Sequence, residues 1–468
     1  MTSTAQRSTV HPPSAGRARE SMLAAAAGTA LVGVCAAWGH WLEGRDARLH
    51  LSGGQPITSG GDPTSAGPVL VVIPVLLALL LLWWVPRVAE RWPWRRLLAG
   101  SGLVAAAWAV ALAITAGPHA LAEPLTTRWE YLADVGRVRA IGPFLATFTD
   151  HVLHAPGQFQ WATHVSGHPP GALLAFVGLD RVGLGAPGWA AALCIVAGAS
   201  AVPAVLSTVR LLGDEANARR AAPFVATAPA VLWIATSADA LFLGVSAWGI
   251  AALAHAAARR DRTGDVLALA GGLLLGATLF LSYGLTLLGC LAVAVVLVQR
   301  RVRPLLVGAA GVAAVGAAFT SQGFWWFDGL GVAAARVREG PAWIDRPWTY
   351  FAVANVAAVT VAVGPATVAA LAPLARAVRA SVRSGARRAV LLAEPLDRVV
   401  VLPGAALMAI VIAIASGLSK GEVERIYLPF MVWLLPMTAA LPGRYRRGWL
   451  AAQLAVALAV QLLWHPRW

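Results

Sequence analysis

Apolar runs follow one another from Met22 to Trp464 with only short Arg-bearing connectors between most of them, and this recurrence restricts the fold more than any other feature of the chain. Many of the runs reach the ~20 residues that carry a helix across a bilayer core. Composition points the same way: 58% of the 468 residues are hydrophobic and 13% are charged, too apolar for a water-soluble globule. The expected fold is all-α, a polytopic transmembrane helical bundle, with residues 22–468 forming a single domain behind a disordered cytoplasmic tail of residues 1–21. Met22–Trp41 reads as an uncleaved first span, because no small-residue cleavage site closes it.

A formal charge of +15 raises nucleic acid as a partner, but the basic residues are scattered through connectors and do not cluster with interleaved aromatics. The tendency of cytoplasmic loops to carry Arg and Lys accounts for the charge, and no nucleic acid is expected. Cys35, Cys194 and Cys290 all lie inside apolar runs and read as packing residues, with neither a disulfide framework nor a zinc site. The plasma membrane is the expected location.

Fourteen apolar stretches are discernible. If all of them crossed, the connector holding Arg210, Arg219 and Arg220 would face outward, and the later basic connectors at Arg259–Arg262, Arg300–Arg303, Arg376–Arg388 and Arg444–Arg447 would flip with it. Parity therefore favours about 13 net crossings, with 169–211 contributing one and the Pro-led segment 169–184 lying in the interface or re-entering. The N-terminus is then cytoplasmic and the C-terminus outside. Loops 42–67, 118–168, 321–348 and 417–425 face outward, with short turns near Ser237 and Ser282. No internal repeat indicates an inverted-repeat transporter.

Loop 118–168 holds five of the ten histidines, together with Glu123, Glu130, Asp134 and Asp150. Ile141, Leu145, Phe148 and Val152 recur at helical spacing, so this stretch is expected to form a helix on the membrane surface. Glu130 and Asp134 are four apart in "RWEYLADVGRVR" and would share one helix face. Either could act as a general base at a dry membrane mouth; the alternative is pairing with Arg128, Arg137 or Arg139. His151/His154 and His164/His168 have spacings that suit a metal on a helix, but Pro169 and Pro170 interrupt the second pair. No metal or other cofactor is assigned, and a divalent ion at these histidines remains the alternative.

Loop 321–348 carries Trp325, Trp326, Trp343 and Trp348 beside Asp328, Asp345 and Arg346. A flat aromatic face beside polar groups suits a sugar ring; an interfacial aromatic belt is the other reading. In "SGLSKGEVERIYLPF", residues 416–430, an outward turn packs Lys420, Glu422, Glu424 and Arg425 between two spans. Arg425 could grip a lipid phosphate bidentately or could serve as an anchor paired with Glu422. Asp239 begins an apolar run on the outward side, either as an N-cap or as a functional carboxylate.

"ATHVSGHPPGALLAF", residues 162–176, sets a histidine and two prolines before a short apolar helix. The first of the two long outward loops, with an acidic residue soon after a span, then an interfacial helix, then this threshold, and later "ERIYLPF", resembles the C-type (GT-C) polytopic glycosyltransferase superfamily. The closest similarity is to its protein mannosyltransferase and aminoarabinose transferase group. The resemblance implies an enzyme of the cell envelope that moves a sugar from a polyprenyl-phosphate donor to a glycan, lipid or protein acceptor on the outer side. It makes Asp134 the first candidate base and Glu130 the second. His168, Arg425 and Lys420 would then bind the donor phosphate, and Trp325, Trp326, Trp343 and Asp239 the sugar. A lipid-linked sugar flippase or other polytopic transporter is the alternative.

Overall fold

The computed structural model describes residues 15–45, 47–49, 68–383 and 395–464, and all regular structure among them is helical. Nine helices among the described residues are long and apolar enough to cross a membrane, so the chain is a multi-pass bundle of membrane type. The first helix begins at Ala15, inside the stretch expected as tail, and its apolar span runs Ala18–Glu43; residues 1–14 lie outside the described residues.

The connectors sort to two ends. At one end arginines tie separate helices together. Arg376 pairs with Glu20. Nη1 of Arg219 donates to the carbonyls of Ala89 and Trp92 at 2.8 and 3.0 Å, and Arg210 pairs with Glu215 at 2.8 Å. Arg301 reaches the carbonyl of Ala257 at 3.1 Å, and Arg303 meets Asp265 at 2.7 Å. The opposite end gathers the loops. Phe148 packs edge-on against Phe324 at 5.7 Å, Oγ1 of Thr236 donates to the carbonyl of Leu121 at 2.6 Å, and Nε1 of Trp326 donates to that of Leu279 at 2.9 Å. Arg346 donates to the carbonyl of Leu49 at 3.0 Å, bringing residues 47–49 to the same end.

Helices α1 (Ala15–Glu43), α2 (Pro68–Arg91) and α3 (Trp94–Ala113) lead into loop 118–168. Within it, α4 (Ile141–Ala146) stops at Thr147, and Phe148–His151 continues as a 3-10 turn. The expected surface helix through Val152 is therefore broken. Leu145, Phe148 and Val152 are buried, and Phe148 packs against Trp161 and Phe324, so this apolar face serves the interior of the loop end.

After α5 (Thr163–Gly167) comes α6 (Gly171–Arg181), eleven residues and about 16 Å long, short of a bilayer core. Both of its ends touch the loop end. It starts at the His168 threshold, and Nη2 of Arg181 donates to the carbonyls of Val138 and Arg139 at 3.4 and 3.3 Å. The following helix, α7 (Pro187–Leu212), makes the traverse to the arginine end.

Helix α8 (Glu215–Thr227), capped by Asp214 on the amide of Asn217 at 2.6 Å, gives way to a 3-10 turn at Pro229–Trp233. Nε2 of Gln453 donates to the carbonyl of Phe224 at 2.8 Å beside this break, which satisfies backbone that helical bonding no longer covers. The next helix, α9 (Ala238–Ala257), is buried on nearly every face and forms the centre of the bundle, with Asp239 at its loop end. Helices α10 (Arg262–Leu281), α11 (Gly289–Gln299) and α12 (Arg303–Thr320) follow. A Cβ on Gly272 of α10 would lie 2.0 Å from the carbonyl oxygen of Gly308 on α12, so these two backbones approach as only a glycine permits.

Helices α13 (Trp326–Glu339) and α14 (Pro341–Ile344) occupy the second long loop. They lead to α15 (Trp348–Arg383), kinked at Gly364 where φ is +79°. Helix α16 (Pro395–Ser416) returns to the loop end, α17 (Val423–Ile426) and α18 (Leu428–Met431) are short, and α19 (Arg446–Trp464) closes the chain.

Candidate functional site

Glu130 and Asp134 do not share a helix face. Glu130 is extended (φ −94°, ψ 167°), and a 3-10 turn, Tyr131–Arg137, begins after it, so the two carboxylates diverge. Asp134 is a brace: Oδ2 accepts from the amide of Ala162 at 2.7 Å and Oδ1 from Nε of Arg137 at 3.0 Å. These bonds tie the turn to the segment that enters the threshold. Burial pushes the Asp134 carboxyl above its ordinary range, against the opposing pull of the Ala162 amide and Arg137.

Glu130 points into a buried polar array. Its Oε1 lies 2.7 Å from Nδ1 of His164, while the amide of His164 donates to the carbonyl of Trp129 at 2.9 Å, lacing the loop to α5. Nε2 of His164 lies 3.2 Å from Nη2 of Arg425. A guanidinium can only donate, so Nε2 accepts in this contact and Nδ1 donates its proton to Glu130. Burial alone would raise the Glu130 carboxyl, but His164 and Arg425 outweigh it and hold it below the usual carboxylate range. Its second oxygen, Oε2, is buried without a hydrogen-bond partner among the described residues.

Arg425 is gripped from both sides. Nη1 meets Oδ2 of Asp239 at 2.5 Å, and Nη2 meets Oε2 of Glu422 at 2.5 Å. The Arg425 and Asp239 side chains are 6% and 4% exposed, so the pair has left water. Asp239 thus does more than begin α9: it fixes one edge of the guanidinium. The strap that delivers Arg425 needs unusual backbone, with φ of +67° at Gly417, +97° at Gly421 and +61° at Glu422. Asn355 brackets this strap, donating to the carbonyl of Ser419 at 2.7 Å and accepting from the amide of Gly421 at 3.2 Å.

His168 stands at the threshold. Its Nδ1 lies 2.8 Å from the carbonyl of His164, so Nδ1 carries the proton and Nε2 a lone pair. Burial lowers its basicity, partly offset by Asp239. Pro169 and Pro170 then set the chain into α6, and a Cβ on Gly171 would lie 2.5 Å from the carbonyl oxygen of Phe280. The polar, rigid opening of "GHPPGALL" therefore fits a docked corner in which His168 is held by its neighbour and the following turn is wedged against α10.

The remaining expected residues separate. Nζ of Lys420 donates to the carbonyls of Trp343 and Arg346 at 2.7 and 2.9 Å and lies 4.4 Å from the Trp343 ring centroid, bracing the strap against the second loop. Trp326 is packed against Tyr283 at 5.3 Å with its N–H on Leu279, while Trp325 is half exposed beside Phe327. Trp325 and Trp326 both pack against Phe327, at 5.4 and 5.1 Å between ring centroids, while Trp343 sits over Lys420 on the strap. His151 and His154 bond the carbonyl of Phe159 and Oε1 of Gln160, and no group of metal-ligating side chains is assembled among the described residues.

Two members of the array escape sequence reasoning. His164 carries a metal-type spacing but no sign that it joins Glu130 to Arg425. Tyr131 lies beside the array, its ring 5.9 Å from that of His168 and stacked on Phe176 at 5.5 Å. Beyond Phe176 a cavity of about 280 Å³ is lined mainly by apolar side chains, among them Leu132, Val135, Leu179 and Leu184. No protein-family model matches the chain, and no curated protein matches it.

Proposed function

We propose that the chain is a glycosyltransferase of the GT-C type that transfers a sugar from a polyprenyl-phosphate donor to a hydroxyl acceptor at the outer face of the plasma membrane. The observation that carries this reading is the buried array Glu130–His164–Arg425–Asp239, formed where the first long loop, the His-Pro-Pro threshold and the "ERIYLPF" segment meet. In this reading the nine long helices are joined as crossings by the three shorter apolar segments and the broken segment Glu215–Trp233, thirteen in all, with α6 kept at the loop end. By the positive-inside tendency the arginine end is cytoplasmic, which puts the N-terminus inside, the C-terminus and the array outside.

In this mechanism the acceptor oxygen bonds to the anomeric carbon as the bond from that carbon to the phosphate oxygen breaks, and the electron pair leaves on the phosphate. The acceptor's proton passes to Glu130, whose Oε2 has no competing bond. Glu130 takes this role ahead of Asp134, both of whose oxygens are occupied in bracing the loop. Arg425, oriented by Asp239, receives the phosphate charge on Nη2, where the phosphate competes with Glu422. His168 offers Nε2 as the negative charge beside it favours imidazolium, and Lys420 adds its charge at the rim. Trp325, Trp326, Trp343 and Asp239 remain candidates for the sugar, and the cavity beyond Phe176 suits a lipid chain.

Membranes from cells producing the chain, incubated with a panel of labelled polyprenyl-phosphate hexoses and pentoses, should yield labelled acceptor and free polyprenyl phosphate. Label that crosses the bilayer with the donor intact would instead identify a lipid-linked sugar flippase.

A further inference from the structure

Beside the Glu130 carboxylate lies a second polar group that the reading above leaves unused. Tyr131 is almost wholly buried, and among the described residues neither its hydroxyl nor Oε2 of Glu130 has a hydrogen-bond partner. A buried phenol without a partner is uncommon, because it has given up water and gained nothing in exchange. Its ring is held by Phe176 on one side and faces His164 and His168 on the other, 6.3 and 5.9 Å between centroids, so it is fixed within the array. Burial and the Glu130 and Asp239 charges hold the phenol well above its ordinary range, so at neutral pH it keeps its proton and can donate.

The two unsatisfied groups are complementary. Glu130 Oε2 can only accept, and the Tyr131 hydroxyl can donate. An alcohol presents both matching functions on a single oxygen, giving its proton to a carboxylate while its lone pair accepts from a phenol. A protonated amine has no lone pair for Tyr131, and a phosphate has no proton for Glu130.

We propose that Tyr131 and Glu130 together form the acceptor subsite, selective for an alcohol, with the Tyr131 hydroxyl holding the nucleophilic oxygen while Glu130 removes its proton. This assignment rests on the glycosyl-transfer reading and deepens it by giving Tyr131 the task of holding the acceptor oxygen. As the alcohol oxygen bonds to the anomeric carbon, its proton moves to Glu130 and the electron pair of the broken bond leaves on the donor phosphate. Tyr131 keeps its own proton throughout.

The test compares the full-length protein with Tyr131→Phe in lipid nanodiscs. That substitution removes one oxygen and no ring contact, so the variant should melt no lower than the parent. With a labelled polyprenyl-phosphate sugar that the parent turns over, KM for the acceptor should rise about tenfold while KM for the donor is unchanged. A purely structural tyrosine would leave both constants alone, and that result overturns the assignment. A second readout needs no turnover: octyl mannoside below its micelle concentration should raise the parent's melting temperature, and the rise should vanish in Tyr131→Phe. If no donor is turned over, glycosyl transfer has failed as a reading, and the subsite is judged by this titration alone. Stabilisation of the parent but not of the variant supports it, and equal stabilisation, or none in the parent, overturns it.

Discussion

Replacing Arg425 by Met should destabilise the protein more than almost any other single change at the loop end. The substitution keeps an unbranched stem of comparable reach and removes the guanidinium, which leaves Asp239 ionised and buried where its side chain is 4% exposed. Breaking a buried pair by removing one partner costs about 3–5 kcal/mol, chiefly the stranded charge. Glu422 loses this contact as well, but its side chain is 30% exposed and can recover water, so Asp239 dominates the cost. Asp239→Leu alone should cost less, because Arg425 keeps Glu422 and His164. The double variant Arg425→Met/Asp239→Leu removes both buried charges and should be at least ~2 kcal/mol more stable than the sum of the single effects implies. Equilibrium unfolding in lipid nanodiscs, followed by tryptophan fluorescence, measures the four corners of this cycle. Additivity within about 0.5 kcal/mol would refute the claim that these side chains form one desolvated pair.

Topology can be read with cysteines placed at Gly157 and Gly340 after the three native ones are replaced; both should react with an impermeant reagent in intact cells, while one placed at Arg260 should react only after lysis. Protection of either loop position before lysis would contradict the orientation. His168 gives a pH signature: its basicity is lowered by burial, so as pH falls through ~6.5 the unfolded chain takes up a proton first. Its contribution is therefore complete above ~6.5 and declines as pH drops from there towards the folded value. His168→Gln should flatten the stability profile in that window, and an unchanged slope would show that the imidazole is not held neutral.

Much of the architecture is legible because its signal is carried connector by connector. Arg210 and Arg219 mark one turn and Arg301 and Arg303 another, and the structure gathers those turns at one end through carbonyls and carboxylates of neighbouring helices. Parity among them singles out 169–184, and the helix found there has eleven residues. The break in the surface helix after Ile141 is not legible, since periodicity in Leu145, Phe148 and Val152 records which side is buried and is blind to the turn at Thr147. The relative placement of Asp134 and Glu130 is not legible either, for a related reason. Spacing of four places two residues on one face only if the backbone is α-helical, and here a 3-10 turn begins between them. Nor does any local pattern connect Glu130 to His164, or His164 to Arg425 across most of the chain; those contacts exist only once the strap and the threshold are brought to the same end.

The central claim is that Glu130 is the proton acceptor in glycosyl transfer, and single-turnover transfer by Glu130→Gln tests it most directly. Parent, Glu130→Gln and Asp134→Asn are reconstituted side by side and given the labelled polyprenyl-phosphate sugar that the parent turns over. Glutamine keeps the shape of the side chain and can still accept from His164 through its carbonyl, but it cannot take a proton. Transfer should therefore fall by roughly 100-fold or more while donor binding survives. Asp134→Asn, which weakens a brace, should stay within about tenfold of the parent and lose melting temperature instead. Glu130→Gln turning over at the parent's rate would contradict the account.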